Sequence, residues 1–139
     1  LTSDSGWDTI EHATFLKSIT AKLQDAGIRV SIFVNADEKF VEGAKAVGAD
    51  RIEFYTGDFA RAFSSNPEGA VKAHVEAAKK ANEIGIGINA GHDLNLDNLN
   101  YYKESVPGLL EVSIGHALIS DALYFGLKNT IQMYRAKLD

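Results

Sequence analysis

One pattern constrains the fold more than any other: a helix-like segment ends at a glycine, a short β-branched run follows, and this happens four times. Helices are predicted over about 7–25, 38–47, 67–83 and 96–105, and strands over 28–34, 51–57, 86–89 and 110–114. The runs are apolar enough to be covered on both faces. The pattern therefore indicates parallel strands joined by helical crossovers.

The remaining segments are a loop and a final helical region. Residues 58–67 are predicted to form a long loop, of a length that often serves as a lid or a binding loop in compact domains. The stretch Asn35-Ala36-Asp37 is placed to cap the second helix, and Pro67 to open the long third helix. The last helical region, about 117–137, is expected to break near Gly126.

The number of repeats leaves two architectures open. Four βα units are half of a (β/α)₈ TIM barrel, and half a barrel leaves two open edges and an unfilled interior. Either the sheet is a small open one, or four further strands lie elsewhere. The polar opening segment, residues 1–6, resembles the middle of a loop and favours the second architecture. No Gly-x-Gly-x-x-Gly follows the first strand, which weakens a dinucleotide-binding fold.

Composition excludes several classes of function. The net charge of −5 argues against a general nucleic-acid-binding protein, because neutralising phosphates requires a basic face. The absence of cysteine excludes disulfides and thiolate zinc sites, and it fits a cytoplasmic protein. No apolar run approaches the roughly 20 residues needed to span a bilayer, so no membrane partner is expected.

Two Gly-His pairs mark the ends of the last two strands. His92 follows the small-residue turn Asn89-Ala90-Gly91, and His116 follows Gly115. Parallel α/β proteins place functional groups at the C-terminal ends of strands, and histidine transfers protons near neutral pH. Backbone N–H groups at the start of a helix bind phosphate, so Gly115-His116 predicts a phosphate site. The two histidines lie far apart in sequence, and no local ligand pair predicts a metal.

Glu53 is the third candidate. It lies between Ile52 and Phe54, and the two-residue period of a strand turns it to the opposite face, which is inward in a barrel. A carboxylate there is either part of a structural ion pair or a site group with an adjusted pKa.

Five other residues are given no role in chemistry. His74 is predicted to be structural or solvated because it lies in the middle of the long helix. His12 is predicted to be a solvated surface residue. Trp7 and the pair Tyr101-Tyr102 are predicted to serve in packing.

Several motifs together resemble the pyridoxine 5′-phosphate synthase family. The most specific are Asn89-Ala90-Gly91-His92-Asp93-Leu94 and Ser113-Ile114-Gly115-His116-Ala117-Leu118-Ile119, in this order and spacing. Further matches are Asp25-Ala26-Gly27-Ile28, Phe33 with Asn35-Ala36-Asp37-Glu38, Ile52-Glu53 with Thr56-Gly57, and the opening Leu1-Thr2-Ser3 with Gly6. The resemblance covers the whole chain but only about the C-terminal half of the family's length.

The resemblance implies a fold and a reaction. Residues 1–139 would be the C-terminal half of one TIM-barrel domain, supplying roughly the last four βα units of a homo-octamer. The family condenses 3-amino-2-oxopropyl phosphate with 1-deoxy-D-xylulose 5-phosphate and releases inorganic phosphate and water. It needs no metal and no organic cofactor. Its other acid–base groups belong to the N-terminal half, so this chain alone is expected to be inactive.

The resemblance also implies roles for six residues of this sequence. His92 would be the proton donor, and Glu53 would stabilise charged transition states. Thr2 would contact the deoxyxylulose phosphate. Asp93, Gly115 and His116 would contact the amino-ketone phosphate. The family often has glycine where Asp93 stands, so only the Asp93 backbone N–H is a plausible phosphate contact.

Two other hypotheses remain open. One is a different phosphate-binding barrel enzyme, such as a sugar-phosphate isomerase or aldolase. A Schiff-base aldolase would need a lysine at a strand end, and none of the four runs has one. The other is a non-catalytic binding or assembly subunit, which would bind phosphate without turnover even with every missing segment restored.

Overall fold

The computed structural model describes residues 3–139 as a four-stranded sheet with seven helices. The four strands are β1 (Ser31–Val34), β2 (Arg51–Tyr55), β3 (Gly87–Gly91) and β4 (Leu109–Ser113). The seven helices are α1 (Ala13–Asp25), α2 (Glu38–Ala46), α3 (Gly57–Phe63), α4 (Pro67–Ile84), α5 (Leu99–Ser105), α6 (His116–Phe125) and α7 (Leu127–Ala136). The predicted alternation of strands and helices is confirmed.

The strands lie in chain order, β1-β2-β3-β4, and every neighbouring pair is parallel. Glu53 stands opposite Asn89 of β3, and Gly91 stands opposite Ser113 of β4. The register shifts by an irregularity between Ile88 and Asn89. Because the strands are parallel, all four C-terminal ends meet at one edge, where ligand sites form in such sheets.

The two faces of the sheet differ, contrary to the expectation that both would be covered. One face is buried in the apolar core with residues from α2 and α4; its strand residues are Ile32, Val34, Ile52, Phe54, Ile88 and Ala90. The opposite face carries Arg51, Glu53, Asn89 and Glu111. Strands in sequential order, joined by right-handed crossovers, place all their helices on one side, and this explains the difference.

Helix ends follow the predicted chemistry. The Asp37 carboxylate accepts a hydrogen bond of 3.0 Å from the Lys39 N–H and caps α2. Asn66 caps α4, with Pro67 in its first turn. At Gly126 the backbone has φ +76° and separates α6 from α7, so the predicted break is confirmed.

Two predicted boundaries are wrong for identifiable reasons. The first helix begins at Ala13, because the Asp8 carboxylate accepts the N–H groups of Ile10 and Glu11 and holds that segment in turns. The first strand begins only at Ser31. The Val30 N–H donates to the Asp50 carboxylate at 2.8 Å instead of to a neighbouring strand.

The predicted long loop at 58–67 is also wrong, since most of it is α3. Phe59 is fully buried and packs against Phe63, four residues on, with ring centroids 5.4 Å apart. That spacing puts both rings on one helical face. Phe59 also packs against Tyr102 of α5, so tertiary contacts stabilise a helix too short to form by propensity alone.

The C-terminal helices leave many apolar side chains exposed. Helix α6 buries no residue at all. The large exposed residues in and around α6 and α7 are Leu110, Ile119, Leu123, Tyr124, Phe125, Leu127, Ile131 and Met133. In the part of the chain that the structure describes, no helix has the length and apolarity required to cross a membrane.

Candidate active site

His92 lies in a left-handed turn immediately after β3. Its φ is +97°, and that of Asp93 is +57°. Such conformations cost roughly 1–3 kcal/mol each in a residue other than glycine and occur where the surroundings enforce them. The fully buried Thr56 does so here. Its N–H donates to the Gly91 carbonyl at 3.0 Å, and its hydroxyl donates to the His92 carbonyl.

The His92 ring is held between an aromatic ring and a carboxylate. The Tyr55 ring meets it edge-on, with centroids 4.9 Å apart. The Asp93 Oδ2 atom lies 3.0 Å from Nδ1. Nδ1 is buried and makes no aligned hydrogen bond within residues 3–139. The two atoms therefore lie close enough for an ion pair, but their angle is not that of a hydrogen bond.

Glu53 projects from the middle of β2 on the open face, as the two-residue period predicts. Burial raises the pKa of its carboxyl above the usual range, and a hydrogen bond with the Ser113 side chain opposes that shift. Gly91 leaves the space for this carboxylate, because a Cβ on Gly91 would collide with Glu53 Oε1. The absence of a side chain at Gly91 therefore helps to build the site.

Two depressions meet at His92. The larger has a volume of about 550 Å³, and its lining residues are Ser3, Ser5, Gly6, Trp7, Asp8, His12, Phe33, Glu53 and His92. The second has a volume of about 450 Å³, and its lining residues are Ser3, His92, Asp93, Leu94, Asn95, Gly115, His116 and Ala117. His92 can therefore reach ligands on both sides.

The second depression contains a helix start. Gly115 is the N-cap of α6, and no side chain caps the helix there. The first N–H groups of a helix have no partner within it, and the helix dipole adds positive potential, so an anion is favoured at this position. His116, the first residue of α6, is exposed beside it.

Five of the six predicted site residues thus line one or other depression. Glu53 lines the first, Asp93, Gly115 and His116 line the second, and His92 lines both. Thr2 lies outside the described residues.

Two residues that were assigned to packing or to the surface also line the larger depression. Trp7 is 44% exposed, and its ring stands edge-on to that of His12 with centroids 5.4 Å apart. The Trp7 N–H donates to the Phe33 carbonyl at 2.8 Å, and this bond holds the preceding residues 3–6 beside the end of β1. In the sequence, the hydroxyl groups of residues 2–6 were the only indication that this part of the chain contributes to the site. Hydroxyl-rich turns are usually plain surface loops.

Polar residues continue along the open face. Arg51 donates to Asn89 at 3.0 Å and pairs with Glu111 at 2.6 Å. No local pattern in the sequence gives these three side chains a role, because their partners lie on different strands.

His74 is structural, one of the two outcomes that the sequence left open. It is 3% exposed, and its Nδ1 lies 2.9 Å from the Tyr102 hydroxyl. Burial lowers the pKa of His74 to about 4, so the ring is neutral near pH 7. Residues 3–139 contain no group of three or more histidine or acidic side chains arranged to hold a metal ion.

The fold and the site define a class: an α/β protein in which a histidine, a carboxylate and an uncapped helix start lie together towards the C-terminal edge of a parallel sheet. The family model described as "Pyridoxal phosphate biosynthesis protein PdxJ" matches residues 1–139. The chain belongs to that family, and the resemblance seen in the motifs is confirmed.

Named relatives agree with the family match. The chain is 57% identical over 138 residues to a pyridoxine 5′-phosphate synthase of Cytophaga hutchinsonii, which covers 99% of this chain and 58% of the relative. It is 58% identical over 134 residues to the enzyme of that name from Christiangramia forsetii, with 96% of this chain and 56% of the relative covered. The chain therefore spans a little more than half the length of these curated relatives.

Proposed function

We propose that this chain is the C-terminal part of a pyridoxine 5′-phosphate synthase. The reaction joins 3-amino-2-oxopropyl phosphate to 1-deoxy-D-xylulose 5-phosphate, closes the pyridine ring of vitamin B6, and releases phosphate and water. Membership of the family and identity of 57% to a relative of that name support the assignment. The observation that carries it is the position of His92 between two depressions, each of which would take one substrate.

The finer fold that we propose is a (β/α)₈ barrel, with residues 1–139 as the C-terminal half of its single domain. The sheet has β1 and β4 as its two outer strands and one polar face, which would become the barrel interior. Further strands between β4 and β1 would close it. The exposed apolar residues of α6 and α7, led by Leu123 and Tyr124, fit burial against that added portion.

Each substrate is assigned to one depression. The second depression would bind the phosphate of the amino-ketone through the backbone N–H groups of Asp93, Gly115 and His116 at the turn and at the start of α6. The first would bind the deoxyxylulose phosphate, with Thr2 as a contact beside Ser3. Two fixed phosphates hold the reacting carbons in register, which removes most of the entropic cost of a bimolecular step.

His92 would supply protons to leaving oxygens during carbinolamine dehydration and phosphate elimination. A positioned acid or base typically contributes about 10²–10⁴-fold per step. Glu53 would stabilise the cationic imine by its negative charge when the carboxyl is ionised. Its partly buried position strengthens that interaction relative to water.

Localisation, assembly, cofactor use and partners complete the proposed function. We propose a cytoplasmic homo-oligomer, an octamer by resemblance, that uses no metal and no organic cofactor. Its partners would be phosphorylated small molecules, with no nucleic acid or membrane. A Schiff-base aldolase is disfavoured, since β1 to β4 contain no lysine.

The test compares two proteins: the full-length polypeptide, with the N-terminal portion present, and the 139-residue chain. Each is given both substrates, and pyridoxine 5′-phosphate is measured. We expect turnover by the full-length protein alone, because the family's other acid–base groups belong to the N-terminal half. Turnover by the short chain would contradict the half-barrel account. Phosphate binding without turnover by the full-length protein would favour the non-catalytic subunit.

A further inference from the structure

A phosphate contact through the Asp93 backbone N–H does not explain why this position carries a carboxylate side chain. Its φ of +57° is a conformation that glycine adopts without strain, so an aspartate here needs a reason. Its carboxylate is about half exposed, and its only side-chain partner within residues 3–139 is His92. A negative group beside a phosphate site repels the ligand, so phosphate binding does not supply the reason.

The His92 ring supplies a reason for the carboxylate at Asp93. Its Nδ1 is buried and lacks an aligned partner in the described part of the chain. A buried ring N–H without an acceptor is unfavourable. Asp93 Oδ2 lies 3.0 Å from Nδ1, within hydrogen-bond distance, so alignment of this carboxylate with the Nδ1–H bond would supply the missing acceptor.

The geometry points to Asp93 as a positioning residue for His92. By accepting a hydrogen bond from Nδ1–H, the carboxylate fixes the ring orientation and the tautomer. Nε2 is then the nitrogen directed to the two depressions, where it exchanges protons with substrate. The edge-on Tyr55 ring limits the ring's other motions. The effect of Asp93 on catalysis rests on the proposed function, whereas its effect on the tautomer of His92 does not.

Substitution by glycine is the informative change. Because glycine suits φ +57°, Asp93→Gly removes the carboxylate without straining the turn, and the folded protein should be as stable or slightly more stable. A role confined to turn structure therefore predicts no loss of activity. Asp93→Asn tolerates the same backbone and keeps a neutral oxygen that can accept the hydrogen bond.

The first measurement is steady-state kinetics of the full-length protein. We expect Asp93→Gly to lower kcat by about tenfold, less than loss of a buried triad aspartate, because this carboxylate is partly solvated. KM should rise less than about twofold for either substrate, since loss of a negative charge does not weaken phosphate binding, and Asp93→Asn should recover part of kcat. The control, Asp97→Asn, removes an exposed carboxylate from the same loop and should match the parent. An unchanged kcat in Asp93→Gly, or a selective rise in the KM of the amino-ketone phosphate, would overturn the inference.

The second measurement needs no turnover. In ¹⁵N spectra of the full-length protein, with His92 assigned by His92→Gln, we expect the Nδ1–H tautomer in the parent and a mixed population in Asp93→Gly. The same tautomer mixture in both proteins would overturn the inference. If the tautomer shifts as expected but the full-length protein makes no product, the positioning contact stands and the proposed reaction fails.

Discussion

The two faces of the sheet come from alternate residues of the same strands, yet they serve different purposes. Phe54 is fully buried in the apolar core, whereas its neighbour Glu53 faces the open side among polar groups. The covered face contributes stability through burial of apolar area, and the open face holds a carboxylate at a cost in desolvation. Substitutions on the two faces should therefore separate stability from activity.

The largest expected contrast is between these two neighbours. Phe54→Ala should lower the free energy of unfolding by about 3–5 kcal/mol, because it leaves a cavity in a fully buried site. Glu53→Gln should leave that energy nearly unchanged but reduce kcat of the full-length enzyme by about 10²–10³-fold. Urea denaturation and turnover, measured on both variants, check the contrast. Equal losses of stability in the two variants would contradict the separation of stability and activity between the two faces.

A smaller effect is expected at Gly91. In Gly91→Ala the new methyl group meets Glu53 Oε1, the flexible end of a side chain, so the carboxylate moves and the fold persists. Displacement of a site group by a fraction of an ångström to one ångström should reduce kcat by about ten- to a hundredfold. The control, Gly27→Ala, has open space around the added methyl group but a strained φ of +77°, so it should lose stability instead of activity.

On the covered side of the sheet, the free energy of unfolding should depend on pH through His74. The pKa of His74 falls from 6.5 to about 4 on folding, so the unfolded chain takes up the proton first as pH drops. Stability should therefore fall between pH 6.5 and pH 4, by about 2 kcal/mol between pH 7 and pH 5. Subtracting the curve of His74→Gln, measured by urea denaturation, isolates this contribution. A parent and variant with parallel curves would show that His74 does not titrate as its burial requires.

Much of this arrangement could be read from the sequence. The glycines after α1, α2 and α4, the β-branched runs, the cap at Asp37 and the start of α4 at Pro67 are local signals, and the structure confirms them. The two-residue period of β2 was enough to turn Glu53 away from the core. The motif at His92 gave both its place after a strand and the family.

What the sequence could not give depends on contacts between distant residues. Helix α3 is stabilised by Phe59 packing on Tyr102, more than forty residues away, and no local pattern encodes that. Residues 3–6 reach the site because the Trp7 N–H bonds to the Phe33 carbonyl of β1. The uncovered face follows from strand order, which the apolarity of single strands does not reveal.

The measurement that tests the central claim most directly is turnover by the full-length His92→Gln variant with both substrates. We predict a fall in kcat of about 10²–10⁴-fold with an unchanged urea midpoint, because His92 is the titratable side chain that lines both depressions. A variant that is correctly folded and retains parental turnover would contradict the assignment of His92 as the proton donor and, with it, the account of the open face as the active site.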